Sequence, residues 1–121
     1  MSYSVTQAPS ADGCVAAQVN WYRENEQRGG DALALRWFEL LHLALATLAN
    51  NPTRHGFAPE NGQWMPQIDI RQMLFRPWKS GAGWRVLYTI DEARKLVTIL
   101  QIRHEHRRWL FEPEDDEGQS T

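Results

Sequence analysis

Two periodicities divide the chain. In the first half, Ala11, Val15, Val19 and Tyr22 recur at helical spacing, and Leu33, Trp37, Leu41, Ala44, Leu45 and Leu48 do so again. Pro9 and Ser10 with Asp12 supply helix-start chemistry, so the pattern predicts a helix from about Ser10 to Glu26. Gln27 to Gly30 breaks it, and Asp31 caps a second helix that Asn51-Pro52 ends. Phe38 and Leu40 widen the second stripe beyond what one sheet face requires. Burial against both the first helix and a sheet accounts for them better than a partner surface does.

The second half changes period. Ile68 to Phe75 alternates along a strand, and Lys79 to Gly83 turns the chain back. Trp84 to Ile90 and Leu96 to Ile102 are rich in β-branched and aromatic residues, and the charged turn Asp91 to Lys95 between them is too short for a parallel crossover. They therefore form an antiparallel hairpin. A short strand at Ser2–Gln7 precedes the helices. Thr53 to Gln67 is a long polar connection with Gly56, Pro59, Gly62 and Pro66, and loops of this length are either functional or loosely ordered. The expected fold class is α+β: an N-terminal strand and a helical hairpin packed on an antiparallel sheet completed by three C-terminal strands. Residues 1–111 make a single domain, and residues 112–121 an acidic tail expected to be disordered. The opposite sheet face and the final edge are left for function.

Composition narrows the setting. A chain of 121 residues can bury roughly two-thirds of its unfolded surface without staples. One cysteine, Cys14, excludes a disulfide framework and points to a reducing compartment; a small buried residue suits it better than a nucleophile. No apolar run approaches the ~20 residues of a membrane span, and Met1 to Ser10 lacks the order of a signal peptide. A soluble, cytoplasmic protein without membrane attachment is expected. Five of the fifteen acids lie in the tail, so the other 111 residues carry 13 Lys and Arg against 10 Asp and Glu. Such a balance permits a nucleic-acid role without arguing for one.

The last strand runs directly into Arg103, His104, Glu105, His106, Arg107 and Arg108, which brings a cationic cluster to one edge of the sheet. With Asn20-Trp21-Tyr22, Asn51-Pro52, Ala58-Pro59-Glu60, Ile70 to Phe75, Trp84 to Asp91 and Ile99 to His104 in this order, the chain resembles the RelE/ParE toxin superfamily over about residues 3–111. The resemblance implies the toxin of a type II toxin–antitoxin module, of the kind labelled plasmid stabilisation proteins. Such a toxin causes growth arrest and is neutralised by a cognate antitoxin, as a monomer or dimer within the complex. Its target would be DNA gyrase, as for ParE-like members, or messenger RNA in the ribosome, which RelE-like members cut. No cofactor is implied. The ParE-like role is slightly favoured, and a degenerate non-toxic binding module is a third reading.

RNA cleavage through the 2′-hydroxyl needs a base, cations on the phosphorane and an acid. Arg71 and Arg85 are the candidates for the phosphate, because guanidinium binds phosphate in a two-pronged fashion. Their parity on neighbouring strands is expected to put both on one sheet face. The alternative is that they are solvated strand arginines paired to carboxylates such as Asp69 or Glu105. Against the RelE-like pattern, Arg85 falls on its strand arginine and Arg71 on a lysine position. Met73, Glu105 and Phe111 replace a lysine, an arginine and a tyrosine. His104 would then have to move the proton. Arg103, His106, Arg107 and Arg108 are the candidates for contact with a target or nucleic acid. His104 and His106 alone make a weak metal site, so none is expected. His42 and His55 read as structural. Of the six tryptophans, Trp37 and Trp84 fit the core, while Trp64, Trp78 and Trp109 could be exposed.

Overall fold

This computed structural model describes residues 2–25, 27, 29–79, 81 and 83–105. Strand β1 spans Ser4–Gln7, followed by helices α1, Pro9–Arg23, and α2, Gly30–Ala46. Two 3-10 turns, Thr47–Ala49 and Pro52–Arg54, lead into the connection, and strands β2, Arg71–Phe75, β3, Trp84–Asp91, and β4, Leu96–His104, complete the chain. Pro9 opens α1, where its missing N–H has no helical partner to lose. Gly29 precedes α2 with a φ of 111°, a backbone angle that L side chains rarely adopt, so the cap is a glycine rather than Asp31.

The four strands form one sheet in the order β1-β4-β3-β2. β2, β3 and β4 are antiparallel, as the hairpin pattern predicts. β1 lies parallel to β4, with Ser4 opposite Leu96 and Gln7 opposite Ile99, so the sheet is mixed rather than antiparallel throughout. Both helices, β2 and β3 lie between these strands in the chain, and that length makes a parallel pairing possible. β4 is thereby an inner strand over Leu96–Ile99, and only its last residues reach beyond β1.

Register assigns the faces. Phe75, Trp84 and His104 stand in one row across β2, β3 and β4; Leu74, Arg85 and Arg103 stand in the next and point the other way. The helix-side face is the main core: Trp37 and Leu41 of α2 and Val86, Tyr88, Val97 and Ile99 of the sheet are fully buried. Trp37 meets Phe75 and Trp84 with ring centroids at 6.0 and 5.5 Å, both edge-on. A bulge at Leu87/Tyr88 leaves Leu100 as the extra residue and turns it to the outer face. There it joins Ala58, Ile70 and Leu87, with Trp64, Met65 and Ile68 packed against them.

The connection over residues 53–67 is thus neither loose nor open. It folds across the outer face that the hydropathy pattern leaves for function. Ala58 N–H donates to Ile70 O, Ile70 N–H to Asn61 Oδ1 and Gln72 N–H to Gly56 O, so the loop is closed at its base. The stretch Gly30–Ala49 reaches 20 residues at a mean hydropathy of 1.4, so an apolar run of spanning length does exist. Its stripe of Trp37, Leu41, Leu45 and Leu48 is what the core consumes.

Candidate functional site

Arg85 lies in the middle of the outer face, 6% exposed. Its Nη1 donates to Glu60 Oε1 at 3.0 Å and its Nη2 to Glu60 Oε2 at 2.8 Å, a two-pronged pair in which Glu60 is completely buried. Gln72 Oε1 accepts a further bond from Nη1 at 3.1 Å. Directly across the ladder stands Arg103, 8% exposed, with Nη1 donating to Gln101 Oε1 at 3.2 Å. The outer face therefore holds two guanidinium groups from neighbouring strands, and the loop that carries Glu60 closes on that of Arg85.

Arg71 does not join them. It pairs with Tyr88, so it shares parity with the helix-side row, whereas Arg85 pairs with Leu74 and faces the other way. The expectation that one face carries both fails on register: parity is defined within a strand, and which parities align across strands depends on pairing. Arg71 instead ties the edge of the sheet to the 3-10 turn, donating Nη1 to His55 O at 2.6 Å and Thr53 O at 3.4 Å, with its guanidinium 4.4 Å from the Phe57 ring centre.

The cationic end of β4 is divided as well. Arg103 faces the outer side, while His104 shares the row of Trp84, its ring 5.4 Å away and edge-on, next to α1. Arg71, Arg85 and His104 therefore do not converge on one site. Glu105 accepts from Gly83 N–H at 2.8 Å and from Arg76, closing the turn between β2 and β3 rather than pairing with Arg71 or Arg85. His106, Arg107, Arg108, Trp109, Phe111 and the acidic tail lie outside the described residues.

Burial pushes the Tyr88 phenol up to about 12, with Arg71 acting the other way; its hydroxyl donates to Pro52 O at 2.5 Å. Burial first, then Arg54, holds His55 below the usual imidazole range. His55 stacks edge-on to Tyr88, a structural place as expected. His42 bonds Phe38 O through Nδ1. Cys14 is half-buried against the core rather than buried. Trp37 and Trp84 are in the core; Trp21, at 42% exposure, is the exposed tryptophan among those described, and Trp64 and Trp78 are half-buried.

Sequence reasoning missed Glu60 as the partner of Arg85. Its signal was present in the Ala58-Pro59-Glu60 motif and in the nearby Trp64, Met65 and Ile68, which give a polar connection an apolar underside. The wide stripe of α2 is also only partly absorbed. Leu35, Phe38 and Leu43 are 58%, 41% and 67% exposed. Between α1 and α2 a groove of about 630 Å³ is lined by Val15, Val19, Ala34, Leu35, Phe38 and His42. Burial thus explains Leu40, which packs on the core, and leaves Phe38 outside.

No family model matches the sequence, and no curated protein sequence does. Solved structures do match. A chain of the chromosomal ParDE toxin–antitoxin system from P. aeruginosa is 15% identical with a TM-score of 0.61, covering 84% of this chain and 95% of that one. A chain of the RelBE2 toxin–antitoxin complex from Mycobacterium tuberculosis is 17% identical with a TM-score of 0.50, covering 86% and 92%. Identities this low speak for shape, and the shape agrees with the resemblance of the motifs: the chain has the fold of the RelE/ParE toxin superfamily.

Proposed function

We propose that the protein is the toxin of a type II toxin–antitoxin module, held inactive by a cognate antitoxin and acting on its target by binding, with DNA gyrase favoured over messenger RNA. The observation that carries this reading is the fold shared with a chain of the ParDE system over nearly all of that chain's length. Fold alone hosts many functions, so the site must agree with it. Two features do. The groove between α1 and α2 leaves Leu35 and Phe38 exposed side by side, a surface that the apolar face of an antitoxin helix would cover. The groups that a nuclease would need to bring together are also distributed over both sheet faces, with Arg85 engaged by Glu60. Contact with the target falls to the cationic run that follows β4 in the sequence, His106, Arg107 and Arg108, since Arg103 is buried.

The test is induction of the chain alone and together with the product of the adjacent small reading frame. Growth arrest on induction alone, relief on co-expression and loss of supercoiling by purified gyrase are expected. New 5′ ends in translated messages, abolished by Arg85→Ala, would favour the ribosome-dependent endonuclease instead. Unimpaired growth together with no copurifying partner would leave a non-toxic module of the same fold.

A further inference from the structure

β1 pairs with β4 only as far as Ile99, and beyond that point β4 lies against α1. Ser10 Oγ there donates to Leu100 O at 2.6 Å, and Cys14 Sγ lies 3.9 Å from Gln101 Oε1. Farther along, a cavity of about 230 Å³ separates Cys14, Gln18 and Trp21 of α1 from Trp84 and His104 of the sheet, and the fully buried Trp37 of α2 belongs to its wall. A second cavity, of about 320 Å³, shares Gln18, Trp21, Trp84 and His104 and reaches Trp78. Buried indole N–H groups ordinarily find an acceptor. Trp37 Nε1 has none among the described residues, and it is closed to water. An orphaned donor in the wall of an aromatic cavity is a costly feature for a core to keep.

These features define a guest. The orphaned donor calls for an acceptor, which an ammonium or guanidinium cation does not carry, and no carboxylate lines either cavity among the described residues. Aromatic walls favour a flat guest, since every nucleobase presents a π face to an indole ring. The smaller cavity lies below the roughly 300–1,000 Å³ of pockets for drug-sized ligands, so the guest is one small ring system. We propose that the cleft between α1 and the end of β4 binds a neutral nitrogen heterocycle of nucleobase type, lying against Trp21 and Trp84, with a ring nitrogen or carbonyl accepting from Trp37 Nε1. Gln18, half-buried on α1, is the flexible part of the wall through which the guest approaches, and its amide can both donate to the guest's edge and accept from it. The base is free or unstacked from a single strand. The site lies on the helix side of the sheet, away from Arg85, and is independent of the toxin reading, so growth and supercoiling assays do not bear on it.

Titration of the nitrogen-15-labelled full chain with adenine, and with indole as the control, tests the site by NMR. Indole has a similar bicyclic shape but offers a donor and no ring acceptor. Adenine should bind at least about tenfold more tightly than indole and move one indole N–H resonance downfield, the one that Trp37→Phe lacks. Trp37→Phe keeps an aromatic ring in the core and should lose the preference for adenine. Trp21→Ala should weaken adenine about tenfold through lost stacking. A short oligoadenylate that moves the same resonance assigns the site to a base within a strand; one that fails to do so where adenine succeeds assigns it to a free base. If Trp37→Phe does not fold, the adenine–indole ratio and Trp21→Ala decide. Adenine that moves no indole N–H resonance, that binds no more tightly than indole, or that is insensitive to Trp21→Ala overturns the inference.

Discussion

On the helix side of the sheet, Trp37 is fully buried among Tyr22, Phe75 and Trp84, and complementary shapes close the space. On the outer side, a small apolar cluster around Leu87 and Leu100 lies beside the fully buried Glu60 and its Arg85 partner, with a loop instead of helices as cover. Both faces have a buried centre, yet the two are buried for different reasons. The first depends on volume and contact, which falter gradually as side chains shrink. The second depends on a matched pair of charges, which is costly to break from one side and cheap to replace from both. A domain built this way holds one face by shape and the other by a small apolar cluster together with a charge pair.

Removing volume on the helix side should be the most damaging change. Trp37→Ala is expected to cost about 3–5 kcal/mol, read from the shift of the urea midpoint at constant slope. On the outer side, Arg85→Met should cost a similar about 3–5 kcal/mol, because Glu60 is then left charged and buried. The contrast appears in the repair: Glu60→Leu added to Arg85→Met should restore most of that loss. If the double variant is as unstable as the single one, the two faces do not differ as described.

Gly83 tests the turn that joins the faces. A Cβ there would lie 2.5 Å from Phe75 O and from the Arg76 side chain, so Gly83→Ala should cost about 1–3 kcal/mol. Thermal unfolding of that variant is the check. High pH probes the helix side with smaller effect. The Tyr88 phenol, raised to about 12, binds its proton in the folded state where the unfolded chain, titrating near 10, has lost it. Stability should therefore be full below pH 10 and decline between about 10 and 12, and phenolate absorbance should show one tyrosine titrating last. The smallest change in stability is expected at Phe38, which neither face uses: Phe38→Asp should stay within about 0.5 kcal/mol of wild type yet abolish copurification with the antitoxin.

The α+β class, the helical hairpin, the β3–β4 hairpin and the membership of Trp37, Leu41 and Trp84 in the core were all legible in the pattern of apolar positions, since burial leaves a period in the chain. Arg85 was legible as a site candidate, and its partner was not. Glu60 lies 25 residues from Arg85 in a segment without periodicity, and a contact across that distance leaves no local trace. The same limit explains Arg71: its spacing within β2 is readable, while the alignment of β2 on β3 is not.

By itself, then, the amino-acid sequence determined which segments are helix or strand and which stripe of each is apolar, because those follow from backbone geometry and hydrophobic burial over a few residues. Tertiary structure alone decided that β1 runs parallel to β4, that Arg85 and Arg103 share one face while Arg71 and His104 belong to the other, and that a polar connection closes over Arg85. These are choices of pairing between distant segments, and the free energy that makes them is spread over the whole packed sheet.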